Sequence, residues 1–482
     1  MRLLLIEAND VNKWVGGRAG GNNVHVVPIA LVGLASYVRR AVPEVAVKII
    51  ESSLDAPADD ALRDLLEEFR PDYVGVRAIN FFRDEAARIV RVVRRWADVP
   101  VVLGGPLPTS MRGTTFDWIP ELVLAAVGEG ERVLERLLAG ECPEQIPGMM
   151  SRSPTGVRQV AEEAPLRNLD AVPLPDYSLV DLDKYSRTLS YAYNQRRQGV
   201  LVTSRGCPYR CTYCFQPGDS KMRLRSASHV FEEIEVLVRE RDVQDFYIVD
   251  DVFNVHRRRA LEVLRLLKEA SLGVRLYFVN GLRVDLCDRE MVDALVEGGT
   301  VWVAFAVETA SPRIAALVRK TIDLAHARDI IGYAQSAGIV VNVNTMFGFP
   351  TETAAEAQMT LDYLGTLPHP SLLPYHFNLR GYHGCEIVDQ AEAAGWDRAA
   401  FLEHGLKSYN DLPPGSPTFS RHEQIAHLIQ YHERFGLKNQ EHVAWSVKTL
   451  RNISYRDEEI VAMYSVLLNR PVASVDELLS MP

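Results

Sequence analysis

Short apolar runs alternate with amphipathic stretches of helical period along most of this chain, and the alternation starts twice. In the first 140 residues, Leu3 to Ile6, Val45 to Ile50, Tyr73 to Val76 and Val99 to Leu103 read as strands bounded by turn or polar residues. Between them, Leu31 to Arg40, Ala58 to Phe69 and Asp84 to Trp96 carry a helical pattern. Such an alternation packs as a parallel sheet covered on both faces. One glycine turn, Gly104-Gly105-Pro106, follows the fourth run. A second, Gly128-Glu129-Gly130-Glu131, ends a candidate fifth strand at Leu122 to Val127. A Rossmann-like front domain is therefore expected over 1–140.

Residues 141–198 break the rhythm. Asn168 to Tyr177 carries two prolines and no periodicity, as a connector should. The alternation resumes with strand candidates Val200 to Thr203, Phe246 to Val249, Val274 to Val279, Val301 to Val307 and Val340 to Met346. Helical stretches separate them: His229 to Glu240, Arg257 to Ala270, Arg289 to Glu297 and Leu324 to Ser336. Five or six βα units in about 190 residues predict a partial (β/α)6 barrel over 199–390, with the active site where its strands end. Beyond it, Ile425 to Phe435, His442 to Leu450 and Glu458 to Leu468 predict a helical C-terminal domain over 391–482, placed to close the barrel over a small molecule. The fold class is α/β.

Composition removes several classes. Apolar residues make up 47% and charged residues 24%, which argues against disorder. With 63 acidic against 53 basic residues, the net charge of −10 gives no electrostatic reason to expect nucleic acid. No window approaches about 18 uninterrupted apolar residues, so no membrane span is expected. The run Leu3 to Ile6, followed by Glu7, is too short for a signal peptide. The expectation is a cytoplasmic protein.

Six cysteines in 482 residues do not make a disulfide framework. Three of them, Cys207, Cys211 and Cys214, lie in Thr203-Ser204-Arg205-Gly206-Cys207-Pro208-Tyr209-Arg210-Cys211-Thr212-Tyr213-Cys214. Three thiolates so spaced can wrap one soft metal centre. Structural zinc usually demands four protein ligands, and no histidine or cysteine nearby is an obvious fourth. A [4Fe–4S] cluster on three thiolates leaves one iron open. A zinc site completed by a distant residue is the alternative.

The motif C-x3-C-x-aromatic-C after the first strand of a βα series resembles the radical S-adenosylmethionine (SAM) superfamily. The resemblance implies that Cys207, Cys211 and Cys214 ligate the cluster and that Tyr213 lies near the adenine. The open iron would take the amino and carboxylate groups of SAM. One electron, from a flavodoxin- or ferredoxin-type donor, would cleave SAM to a 5′-deoxyadenosyl radical. Arg223-Leu224-Arg225-Ser226 before Glu233, Phe246 to Phe253, Ala304 to Ser311 and Gly348-Phe349-Pro350-Thr351-Glu352-Thr353 match the family in order and spacing. By that likeness Asp250 and Glu308 touch SAM, and Glu352 either joins them or pins its turn.

Pro71 to Val76, Gly104-Gly105-Pro106 and Gly128-Glu129-Gly130-Glu131 resemble the cobalamin-binding domain that precedes many radical SAM barrels. The likeness places Gly104, Gly105, Glu129 and Gly130 against cobalamin, where small residues let the backbone approach. Cobalamin mutases carry D-x-H-x-x-G with a histidine ligand to cobalt, whereas this chain has Asp10-Val11-Asn12-Lys13-Trp14-Val15, and His25 lies outside the motif. Bound cobalamin is then expected base-off. Arg77 either sits beneath the ring or pairs with a carboxylate. A degenerate front domain that binds no cobalamin is the other reading.

These resemblances imply a cobalamin-dependent radical SAM methyltransferase acting on an unactivated carbon of a small biosynthetic intermediate. The alternative is a non-methylating rearrangement, cyclisation or ring contraction with the same cofactors. The front domain is expected to dock over the barrel mouth, with Gly105 and Cys211 on the same side. Of the remaining residues, Cys385 reads as a core thiol or a second-site thiol. Tyr375-His376-Phe377 reads as pocket lining or packing, and Arg257-Arg258-Arg259 as a solvated helix face.

Overall fold

A computed structural model of the chain describes residues 1–10, 24–216, 221–372, 376–406, 416, 418–436, 439–468 and 470–481. Its front sheet holds β1 (Arg2–Glu7), β2 (Ala46–Glu51), β3 (Tyr73–Arg77), β4 (Val101–Gly104), β5 (Leu124–Ala126), β6 (Met149–Ser153) and β7 (Gly156–Gln159), in the order β2-β1-β3-β4-β5-β6-β7. The first five strands are parallel. Leu3, Leu4, Leu5 and Ile6 are all buried, as befits a strand covered on both faces. Each contributes about 1.5–3 kcal/mol through burial.

The hairpin β6–β7 joins this sheet antiparallel to β5, pairing Ala125 with Met150. The front sheet thus takes in residues that the sequence reading assigned to the connector. Strand β7, at the sheet edge, is exposed throughout and carries no apolar run to announce it. The rest of the connector is built from side-chain-capped turns: Asn168, Asp176 and Asp181 each accept from a backbone N–H just ahead.

The second sheet holds β8 (Gln198–Leu201), β11 (Asp245–Ile248), β12 (Arg275–Leu282), β13 (Thr300–Glu308), β14 (Val340–Phe347) and β15 (His376–Asn378). They run parallel in chain order with β8 and β15 at the edges, a partial barrel as expected. Between β8 and β11 lies a two-residue antiparallel ladder of β9 (Ser204–Arg205) and β10 (Arg223–Leu224), which brackets the cysteine motif.

The C-terminal helices do not all lie where the barrel opens. Glu459, buried on helix Asp457–Leu467, pairs with Arg196 at 3.3 Å, and Arg196 reaches Asp245 at the start of β11. That helix covers the end of the barrel opposite the strand C-termini. The arginine run also divides. Arg257 pairs with Asp288 and Glu290 at the surface, whereas buried Arg259 donates to the carbonyls of Thr203 and Arg225. Among the described residues no helix is long and apolar enough to cross a membrane.

Candidate active site between the two sheets

The cysteine loop starts at a forced turn. Gly206 has φ +85°, and a Cβ there would stand 3.1 Å from the Lys221 carbonyl oxygen. Backbone bonds from Thr212 N to Val318 O (3.2 Å), Ile387 N to Thr212 O (2.8 Å) and Cys214 N to Cys211 O (3.1 Å) hold the loop in place. Its thiols are free. Burial, then the neighbouring Cys211, pushes the Cys214 thiol up to about 12. Cys207 is raised for the same leading reason. Three thiols that crowd one another are a donor set whose charge a bound cationic centre neutralises. A donor set of three thiolates is one short of the four protein ligands of structural zinc, and it fits an iron–sulfur cluster with one iron left open.

At the end of β13, Glu308 Oε1 accepts from Tyr213 Oη at 3.0 Å and from Lys320 Nζ at 2.7 Å. Glu308 and Lys320 are both buried. Glu308 follows a register shift and adopts φ +68°, a conformation costly for a residue with a side chain. The sequence reading named Tyr213 and Glu308 but missed Lys320.

Asp250 and its neighbour divide their tasks. Buried Asp250 accepts from Thr203 N (2.6 Å), Thr203 Oγ1 and Ser204 Oγ (2.7 Å), so its oxygens hold the strand that leads into the cysteine loop. Asp251 instead lines the cavity. Burial and then Asp250 raise its carboxyl, while the Gly206 N–H opposes the rise. Glu352 accepts from the N–H groups of Gly348 (2.6 Å) and Phe349 (3.2 Å) and pins its turn.

A cavity of about 460 Å³ lies between the two sheets. On the front side it is lined by Gly75, Arg77, Gly104, Gly105, Gly128 and Gly130, outside the carboxyl ends of β3, β4 and β5. Leu5 of β1 lines it too, so the cavity reaches the β1/β3 switch point, where ligands bind in an open α/β sheet ordered β2-β1-β3-β4-β5. On the barrel side it is lined by Val202, Ser204, Arg205, Gly206, Val249 and Asp251. The glycine turns and the root of the cysteine loop thus face one space. A Cβ at Gly104 or Gly128 would meet no atom within 4 Å, so these glycines leave room that side chains would fill. Gly105 has φ +90°, and a Cβ there would stand 2.9 Å from the Ala78 carbonyl oxygen. This open, glycine-lined cradle fits a large planar ligand laid across the sheet edge.

Arg77 lines the cavity and is ion-paired with Glu7, the last residue of β1. Burial lifts the Glu7 carboxyl to about 7 against the opposing charge of Arg77. Glu129 also lines the cavity, yet its carboxylate is engaged by Arg223 (2.7 Å), Arg205 (3.2 Å) and the Leu166 N–H (2.9 Å). Burial alone would raise Glu129, but the Arg223 hydrogen bond and the Arg205 charge hold it below its ordinary value. Residues 11–15 of the departure from D-x-H-x-x-G lie outside the described residues. His25 is buried, with Nδ1 hydrogen-bonded to Glu51.

Cys385 is buried at the start of helix Glu386–Ala393, and burial raises it to about 12. Tyr375 lies outside the described residues. His376 is packed, with Nδ1 on Thr345 Oγ1 (2.7 Å) and Nε2 on His427 Nε2 (2.8 Å).

Two family profiles match the chain: the radical SAM superfamily over residues 201–364 and the B12 binding domain over 21–138. An uncharacterized methyltransferase of Pyrococcus horikoshii is 29% identical over 343 residues, covering 70% of this chain and 72% of the relative. The anaerobic magnesium-protoporphyrin IX monomethyl ester cyclase of Rubrivivax gelatinosus is 26% identical over 371 residues, covering 75% of this chain and 65% of the relative. The chain thus spans a little less than two thirds of the cyclase. Among solved structures, the radical SAM methyltransferase TsrM of Kitasatospora setae superposes with a TM-score of 0.65 at 20% identity, covering 81% of this chain and 76% of that one.

Proposed function

We propose that this chain is a cobalamin-dependent radical SAM enzyme, using a [4Fe–4S] cluster, SAM and cobalamin, and that it methylates an unactivated carbon of a small biosynthetic intermediate. The observation that carries the reading is the shared cavity, with the front-sheet glycines on one wall and the root of the cysteine loop on the other. Methyl transfer to a substrate radical needs this arrangement, because methyl donor and hydrogen abstractor must reach the same carbon.

When bound, the cluster would supply the electron for SAM cleavage and the corrinoid the methyl group. The chain does the rest. Cys207, Cys211 and Cys214 would hold three irons. Tyr213 and Glu308, fixed by Lys320, face the nucleoside end of SAM. Asp251, open to the cavity, takes the SAM ammonium, whereas the sequence reading had Asp250 touching SAM. Gly104, Gly105 and Gly130, with Arg77, line the cavity and would let the backbone approach the corrin. Leu5, Val76, Val202 and Val249 make much of the wall apolar and keep water from the reacting groups. The electron comes from a flavodoxin- or ferredoxin-type carrier in the cytoplasm.

The test is product analysis with the reconstituted full chain, SAM labelled in its methyl group, a reductant and candidate small-molecule acceptors. Label in the product supports the reading. An isomerised, cyclised or dehydrogenated product without label supports the second reading, which the cyclase relative favours.

A further inference from the structure

The ladder that closes the cysteine loop carries a built-in conflict. Its register places Arg223 directly opposite Arg205, and like charges facing each other across strands are destabilising. The compensation comes from the other unit. Arg205 pairs with Glu131 at 2.6 Å and Glu129 at 3.2 Å, and Arg223 pairs with Glu129 at 2.7 Å. The connector joins the same group: the Leu166 N–H donates to Glu129 (2.9 Å), and its carbonyl accepts from Arg223 Nη1 (2.8 Å). These side chains are only 7–29% exposed, so their charges are screened less than surface pairs.

We propose that Glu129, Glu131, Arg205 and Arg223 form an ionic clamp that locks the glycine-loop wall of the cavity onto the ladder beneath the cysteine loop. Docking of the front unit and pairing of β9 with β10 are thereby a single event, and the spacing between the two cofactor sites is set by these four positioning residues. Two isolated arginines would push β9 and β10 apart. Two glutamates from the facing wall turn that repulsion into cross-unit attraction. Glu129 therefore acts through Arg223 and Arg205 rather than by touching the corrinoid. The inference rests on the reading of the cavity as the corrinoid site, but its test does not need cobalamin.

The Leu166 amide is the reporter, read by hydrogen exchange in the full chain without cobalamin. Arg205→Glu should speed exchange there by at least about tenfold, and adding Glu131→Arg should recover most of the protection. In the wild-type chain, raising salt from about 0.05 to about 0.5 M should speed the same amide several-fold. Exchange that stays within about twofold of wild type in Arg205→Glu overturns the clamp. If that variant does not fold, wild-type exchange that is indifferent to salt overturns it. A second readout is cobalamin release, which should quicken in the same order across the variants. Failure of the wild-type chain to bind cobalamin would remove the corrinoid assignment and leave the exchange result to judge the clamp.

Discussion

The phenol of Tyr213 donates to Glu308 Oε1 at 3.0 Å, and this bond ties the cysteine loop to the end of the fourth barrel strand. Burial, then the charge of Glu308, pushes the Tyr213 hydroxyl well above its ordinary range, so it remains a donor. Lys320 balances the carboxylate from the other side at 2.7 Å. The triad holds a strained backbone in a defined place at the C-terminal end of β13.

Lys320→Met should leave Glu308 buried without its cation and cost about 3 kcal/mol of stability. Pairing it with Glu308→Gln should recover much of that loss, while SAM binding stays weak because the carboxylate is gone. Denaturant unfolding and SAM titration of both variants check this. Equal stability of Lys320→Met and wild type would deny the triad its role.

The two neighbouring aspartates should part company. Asp250→Ala strands Thr203 N and two hydroxyls and should cost about 2–3 kcal/mol. Asp251→Asn should leave the melting temperature near wild type and weaken SAM binding by about tenfold or more. Unfolding midpoints and SAM affinity, measured on both, decide it. The reverse pattern would return Asp250 to the role that the sequence reading gave it.

On the proposed reading Arg77 would face the corrin; its guanidinium has no lone pair to offer cobalt, and His25 is taken by Glu51. The paramagnetic cobalt(II) form should show no nitrogen superhyperfine splitting in electron paramagnetic resonance. Arg77→Lys should slow its reduction, since a guanidinium held by Glu7 shields that face. Splitting in the wild-type spectrum, or an unchanged rate in the variant, would contradict this.

Glu352 is lifted by burial to about 8, so the folded state favours its proton. A carboxyl raised on folding contributes stability that is full below its unfolded pKa of about 4.5 and is lost as pH rises through about 8. Glu352→Gln keeps an acceptor for Gly348 and Phe349 and removes the titration. Its advantage over wild type should grow between pH 5 and pH 8, by on the order of 2 kcal/mol. Melting curves across that range check the slope, and parallel profiles would refute it.

Much of this architecture was legible because periodicity carries it. Helices Arg257–Ala270, Arg289–Glu297 and Leu324–Ser336 lie where their apolar spacing put them, and the cysteine spacing marked the loop. The hairpin β6–β7 was not legible, because its outer strand buries nothing. Nor was the placement of Asp250 on Thr203 and Ser204 with Asp251 at the cavity. Alternation stops where a strand ends, here after Ile248, so pattern alone does not say which of two adjacent carboxylates turns inward. Lys320 and the partners of Glu129 were invisible for a related reason. Each meets its partner across a gap that only the packed units close.

The central claim is that one cavity brings methyl transfer and radical chemistry together. The most direct measurement quantifies S-adenosylhomocysteine and 5′-deoxyadenosine from the same reconstituted chain supplied with SAM, cobalamin, reductant and an acceptor substrate. The account predicts both products. Replacing Cys207, Cys211 and Cys214 by alanine should abolish 5′-deoxyadenosine, and Gly104→Trp, which fills the cradle, should abolish S-adenosylhomocysteine formation. If 5′-deoxyadenosine forms while S-adenosylhomocysteine never does, with cobalamin bound, the chain is not a methyltransferase and the account is contradicted.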